Sequence, residues 1–185
     1  MRLTLCLAAV TLCIAPAAFA QAPPPTGIEA LDTCAAAIVA NKDSAKQVTL
    51  CKAGDEAAVG KGPKFRVMAF EYTAEAMLRN NEPAHALAQA SHAVEYLDRG
   101  KIDDSLAARA YLISAHCHEA LNGVLQASDD AAKAEEFQRK AFVAYPDDPN
   151  VKATLKSILL YESQLFKAQR RDGDAIGKRA EANKL

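Results

Sequence analysis

Apolar residues recur at helical spacing along almost the whole chain, and clusters of Pro, Gly, Asn and Asp interrupt them at short intervals. A chain patterned this way has few options. Phe65, Met68, Ala69, Tyr72 and Ala76 share one helical stripe, and Ala86, Leu87, Ala90, Ala93, Val94 and Leu97 share the next. Leu106, Ala110, Ile113, Cys117 and Leu121 form a third, and Val151, Leu155, Ile158, Leu159 and Phe166 a later one. The breaks are Asn41-Lys42-Asp43-Ser44, Gly60-Lys61-Gly62-Pro63, Asn80-Asn81, Gly100, Asn122-Gly123 and Pro146-Asp147-Asp148-Pro149. Pro cannot continue a helix interior, and Asn and Gly tolerate the backbone that ends one. No stretch of useful length alternates with the period of a strand. The spacing predicts an all-α fold of about seven helices, each of roughly 14–22 residues, within the usual range for globular helices. Short turns make successive helices antiparallel neighbours, so the expected architecture is stacked helix hairpins.

The first residues do not fit that scheme. Arg2 precedes a mostly apolar run over residues 3–14, and Ala18-Phe19-Ala20 places small residues at −1 and −3 of a cut before Gln21. This is the pattern of a secretory signal peptide over residues 1–20, and it implies a periplasmic or secreted protein. The run falls short of the roughly 20 apolar residues that span a bilayer, so an integral membrane protein is not expected after cleavage. Cys6 and Cys13 both follow Leu, which disfavours lipid attachment. Residues 21–26 read as a stiff Pro-rich leader, residues 27–173 as the helical domain and residues 174–185 as a polar tail.

An exported chain meets oxidising conditions, where Cys34, Cys51 and Cys117 allow three single bridges. Residues 27–40 and 45–59 read as two antiparallel helices around the turn at 41–44. Cys34 and Cys51 lie at equal distances from that turn, roughly 10 Å at 1.5 Å rise per residue, so Cys34–Cys51 is the expected bridge. Cys117 falls within a helical stripe and reads as a small buried hydrophobe.

Alanine is the commonest residue, and its placement is specific. Ala86, Ala90 and Ala93 are spaced as in the second helix of tetratricopeptide repeats, and Ala134, Gln138, Ala141 and Pro146 repeat the spacing with its following proline. Small residues at these points let two helices approach within about 8–10 Å. The first helices of the two units would be 64–80 and 105–121. Phe70 and Ala74, then Tyr111 and Ala115, stand where the family has its large and small contact residues. The two blocks are 48 residues apart, where the family has 34. The chain resembles a divergent member of that family over residues 64–146. The resemblance implies a right-handed superhelix with residues 155–166 closing the last pair, and a concave surface that takes a peptide or a helix of an envelope or secreted protein. Tyr72, Glu75, Arg79, Arg109, Tyr111 and His116 are the side chains it places in that groove.

Composition and motifs narrow the chemistry. With 22 basic and 23 acidic residues the net charge is −1, which argues against a nucleic-acid partner. There is no Gly-x-Ser-x-Gly, no Gly-rich phosphate loop and no Cys-x-x-Cys-His, so neither an enzyme nor a cofactor is expected. Asp103-Asp104, Asp129-Asp130 and Asp147-Asp148 each read as helix starts, where acids satisfy exposed amides. The alternative is a non-repeat bundle that binds a small molecule or metal ion through His116, Cys117 and His118. Residues two apart on a helix point about 200° away from each other, so a metal is not the expected ligand.

Overall fold

The computed structural model describes residues 25–185, and among these every regular element is helical. The expected signal peptide, its expected cut site and most of the Pro-rich leader lie outside the described residues. Eight α-helices follow in order: α1 (Glu29–Ala40), α2 (Ser44–Ala57), α3 (Pro63–Arg79), α4 (Pro83–Tyr96), α5 (Asp104–Ala120), α6 (Val124–Ala144), α7 (Pro149–Ala168) and α8 (Asp172–Ala182). A 3-10 turn at Leu97–Arg99 extends α4.

The helices pair as four hairpins, α1–α2, α3–α4, α5–α6 and α7–α8, and each hairpin packs on the next in sequence. Three of the four turns are built alike. Asn81, Asn122 and Arg170 take left-handed φ of 60°, 63° and 59°. The next amide in each case reaches back to the helix just ended, Glu82 to Met77 O, Gly123 to His118 O and Arg171 to Phe166 O. The left-handed residue itself donates to Leu78 O, Glu119 O and Lys167 O respectively. This double bond satisfies carbonyls that a helix end otherwise leaves without partners.

The eighth helix departs from the expected polar tail. Residues 172–182 are helical, and Ala175 and Ala182 are fully buried against α7. Charge does much of the docking. Lys178 reaches Glu135 of α6 and, at 2.8 Å, Glu162 of α7, while Arg139 of α6 pairs with Glu135 and Glu181. Burial and the adjacent Glu135 carboxyl raise Glu162 to about 8, with Lys178 opposing them. Helix α6 also starts earlier than expected, so Asp129 and Asp130 lie within it and not at its start. Asp130 instead accepts a 2.6 Å hydrogen bond from the Ser114 hydroxyl of α5. Asp148 does cap α7, accepting from the amides of Asn150 and Val151. Asp103 makes no cap bond and pairs with Lys64 at 2.7 Å.

Small residues sit where helices touch. The buried residues of α4 are Ala86, Ala90 and Ala93 alone. Those of α6 are Ala127, Ala131, Ala134, Gln138 and Ala141, a stripe repeating every three or four residues. Buried Gln138 donates to Val151 O and ties α6 to the start of α7. Pro146 is exposed in the α6–α7 turn. Such a stripe has no room for a larger side chain. Ala93→Leu and Ala141→Leu are each expected to lower the free energy of unfolding in urea by about 1–3 kcal/mol through overpacking. Unchanged midpoints in both variants would mean that the helices do not meet closely there.

Candidate functional site

The amino ends of α3, α5 and α7 lie near the carboxyl end of α6 and bound a cleft of about 660 Å³. Its apolar lining comes from Met68 of α3, Ile102 and Leu106 before and within α5, Ala141 and Tyr145 at the end of α6, and Val151 of α7. Tyr145 stands 64% exposed at the rim. Charged groups of both signs line the cleft. Lys64 is held by Asp103, and Lys101 lies on the same rim as Asp104 and Asp148.

Beneath the cleft lies a buried contact between a carboxyl and a guanidinium. Arg109 lines the cleft, and its Nη2 lies 3.1 Å from the carboxylate of Glu71, which has no solvent exposure. Burial raises Glu71 to about 8, and the guanidinium pulls in the opposite direction. The guanidinium also sits 5.6 Å from the ring of Tyr72. Glu71 and Tyr72 come from α3 and Arg109 from α5, so one polar contact joins two hairpins.

The six side chains expected to line a groove are placed differently from one another. Arg109 alone reaches the cleft. Tyr72 is fully buried. Glu75 and Arg79 pair with each other at 2.8 Å, and Arg79 donates to Ile38 O of α1. Tyr111 stacks on Phe137 of α6, with ring centres 5.7 Å apart. His116 rests on Tyr161 of α7 at 4.4 Å. The physical reason is that α1 lies against α3 and α7 lies against α5. Arg79 meets α1 and His116 meets α7, whereas Tyr111 is covered by α6 of its own hairpin. The cleft opens at the helix ends instead, and nothing in a helical period marks Met68, Ile102 or Val151 as its lining.

His116, Cys117 and His118 do not converge. His116 faces α7, and burial lowers it to about 4, so its ring stays neutral. Cys117 is fully buried in the core shared by α1 to α5, and burial, Glu75 and Asp130 push its thiol up to about 12. His118 approaches Asp130 at 3.7 Å. Among the described residues no group of three His, Cys, Asp or Glu side chains is placed to hold a metal ion. His85 and His92 each lie beside a glutamate one turn away, Glu82 and Glu95. No described helix is long and apolar enough to cross a membrane.

Cys34 and Cys51 are bridged, with Cα atoms 4.6 Å apart, and join α1 to α2 inside the core. No family model, no curated protein and no solved structure matches the chain. The class that fold and site define is therefore an all-helical protein of stacked hairpins with a cleft across its helix ends.

Proposed function

We propose that the chain is an exported, tetratricopeptide-like interaction module that holds an extended peptide segment of an envelope or secreted protein. The observation that carries this reading is the cleft of about 660 Å³, apolar along its floor and edged by charges of both signs. Ligand sites of this kind are concave, mostly apolar and furnished with a few placed polar groups. A peptide suits it because side chains enter the apolar floor while the peptide backbone meets the polar rim. The repeated hairpin turns at Asn81, Asn122 and Arg170 support a repeat architecture, and the bridge between Cys34 and Cys51 suits an oxidising compartment.

The test is selection of peptides from a random displayed library on the wild-type protein. Selected peptides are expected to bind Tyr145→Ala roughly tenfold more weakly, the effect of removing an exposed aromatic anchor. Arg170→Ala, away from the cleft, is expected to bind them as wild type does. Failure to enrich any peptide, or binding indifferent to Tyr145→Ala, would overturn the proposal.

A further inference from the structure

A second and smaller cavity opens at the same end of the molecule, between the α2–α3 loop and the end of α4. It encloses about 330 Å³ and is lined by Val59, Gly60, Gly62, Pro63, Arg66, Tyr96 and Arg99. Two guanidinium groups are its charged lining residues, and no carboxylate lines it. We propose that this cavity, lined by Arg66 and Arg99 together with Gly60 and Gly62, is a binding site for a phosphate or sulfate group. It is independent of the peptide cleft and of what occupies that cleft.

Arg66 is held in a fixed pose. Its Nη1 bonds the Asp55 carboxylate at 2.6 Å and the Asp55 carbonyl at 2.7 Å, and its guanidinium lies 4.3 Å from the centre of the Phe70 ring. All its hydrogen bonds within the described residues use Nη1, which leaves Nη2 and Nε as donors. Arg99 stacks on Tyr96 at 4.2 Å and makes no ion pair among the described residues. Guanidinium forks match the oxygens of phosphate and sulfate, and a fork already oriented loses little entropy on binding.

The start of α3 forms another wall. Gly62 is its N-cap and offers no side chain, and Pro63 has no N–H, so the uncapped amides of that helix begin at Lys64. Gly60 and Gly62 take φ of 75° and 109°, a region that favours glycine. A Cβ on either residue would meet nothing within 4 Å, so the wall they form is open. The opposite wall is brought in by a close approach. A Cβ at Gly100 would stand 2.9 Å from the Pro63 ring, so glycine there lets the chain carrying Arg99 close over the start of α3. An anion placed between these walls meets Arg99, the Arg66 guanidinium that is also paired with Asp55, and the positive end of a helix.

The test is titration of the protein with inorganic phosphate, with sulfate and with chloride at matched ionic strength, followed by amide and arginine Nε NMR shifts. Phosphate and sulfate are expected to give saturable shifts at Gly60, Gly62, Lys64, Arg66 and Arg99, and chloride none. Arg99→Ala, an exposed position whose loss leaves the core intact, is expected to weaken binding roughly tenfold. Arg170→Ala, a distant exposed arginine, is expected to leave it unchanged. Phosphatidylglycerol vesicles form a further arm. Displacement of bound phosphate by them supports a headgroup as its source, and indifference supports a soluble phosphate. Shifts that do not saturate, chloride matching phosphate, or equal weakening by both arginine variants would overturn the proposal.

Discussion

Glu71→Leu is expected to lower the free energy of unfolding by about 1–3 kcal/mol, the cost of leaving a buried polar group without its partner. Glu71 has no exposure to water, and its carboxyl is 3.1 Å from Arg109 across the α3–α5 contact. Removing it strips the Arg109 guanidinium of its carboxyl partner on the side away from the cleft. The double variant Glu71→Leu/Arg109→Met is expected to recover most of the loss, because burying two apolar side chains there carries no desolvation cost. Glu71→Gln keeps an oxygen for Arg109 and is expected to fall between the two. It also removes a dependence on pH. Burial raises the folded carboxyl from its ordinary 4.5 to about 8. Its contribution to stability is therefore fully present below about pH 4.5 and lost as pH rises towards 8, where the unfolded chain alone has given up its proton. Urea unfolding of the four proteins at pH 5, 7 and 8.5 measures both effects. A Glu71→Leu loss under about 1 kcal/mol, or a double variant worse than the single, would show that the pair is already well hydrated.

The same pair illustrates which parts of the molecule the sequence discloses. Local signals read well. Pro63, Pro83 and Pro149 open helices, Asn81 and Asn122 end hairpin turns, and alanines at three- and four-residue spacing mark close helix contacts. The equal spacing of Cys34 and Cys51 from a turn is a local signal too. The eighth helix escapes because Arg170, a residue with no preference for left-handed backbone, occupies the turn that Asn occupies twice before it. Gly173 and Gly177 weaken its helical pattern further, and its docking depends on charges, Lys178 and Glu181, whose partners lie on α6 and α7. Site residues are harder still. Whether Tyr72, Glu75 or His116 faces water is decided by where α1 and α7 come to rest, and no helical period carries that information. Glu71 and Arg109 are 38 residues apart, and neither is distinguished from other charged residues on a helix. The cleft and the arginine-lined cavity both form where ends of several helices meet, so each is a product of hairpin stacking.

Reduction of the Cys34–Cys51 bridge is expected to cost about 3 kcal/mol, from the loop-closure entropy that a crosslink over this length removes from the unfolded chain. The two cysteines are 17 residues apart and fully buried, so the bond closes a loop of this length in the unfolded chain. The hairpin it closes has little else to hold it. The buried side chains of α1 and α2 besides the cysteines are Leu31, Ala35, Ile38, Val48 and Gln47, and Gly54 packs directly on the backbone of Ala30 and Leu31. Within α2 the apolar contribution is therefore small, and loss of the bridge should release that helix first. Hydrogen exchange is expected to rise in α1 and α2 on reduction while α6 and α7 keep their protection, because their buried residues belong to separate clusters. Counting thiols in denaturant identifies the bond itself. A chain expressed from Gln21 onward should show one reactive thiol, Cys117, before reduction and three after it. Cys117→Ala serves as the control, since it removes a buried thiol and leaves the bridge. Three thiols before reduction, or equal stability of the oxidised and reduced proteins, would refute the bridge as a support of the first hairpin. An α2 that loosens alone would place the weakest part of the molecule beside the α2–α3 loop, which forms one wall of the arginine-lined cavity.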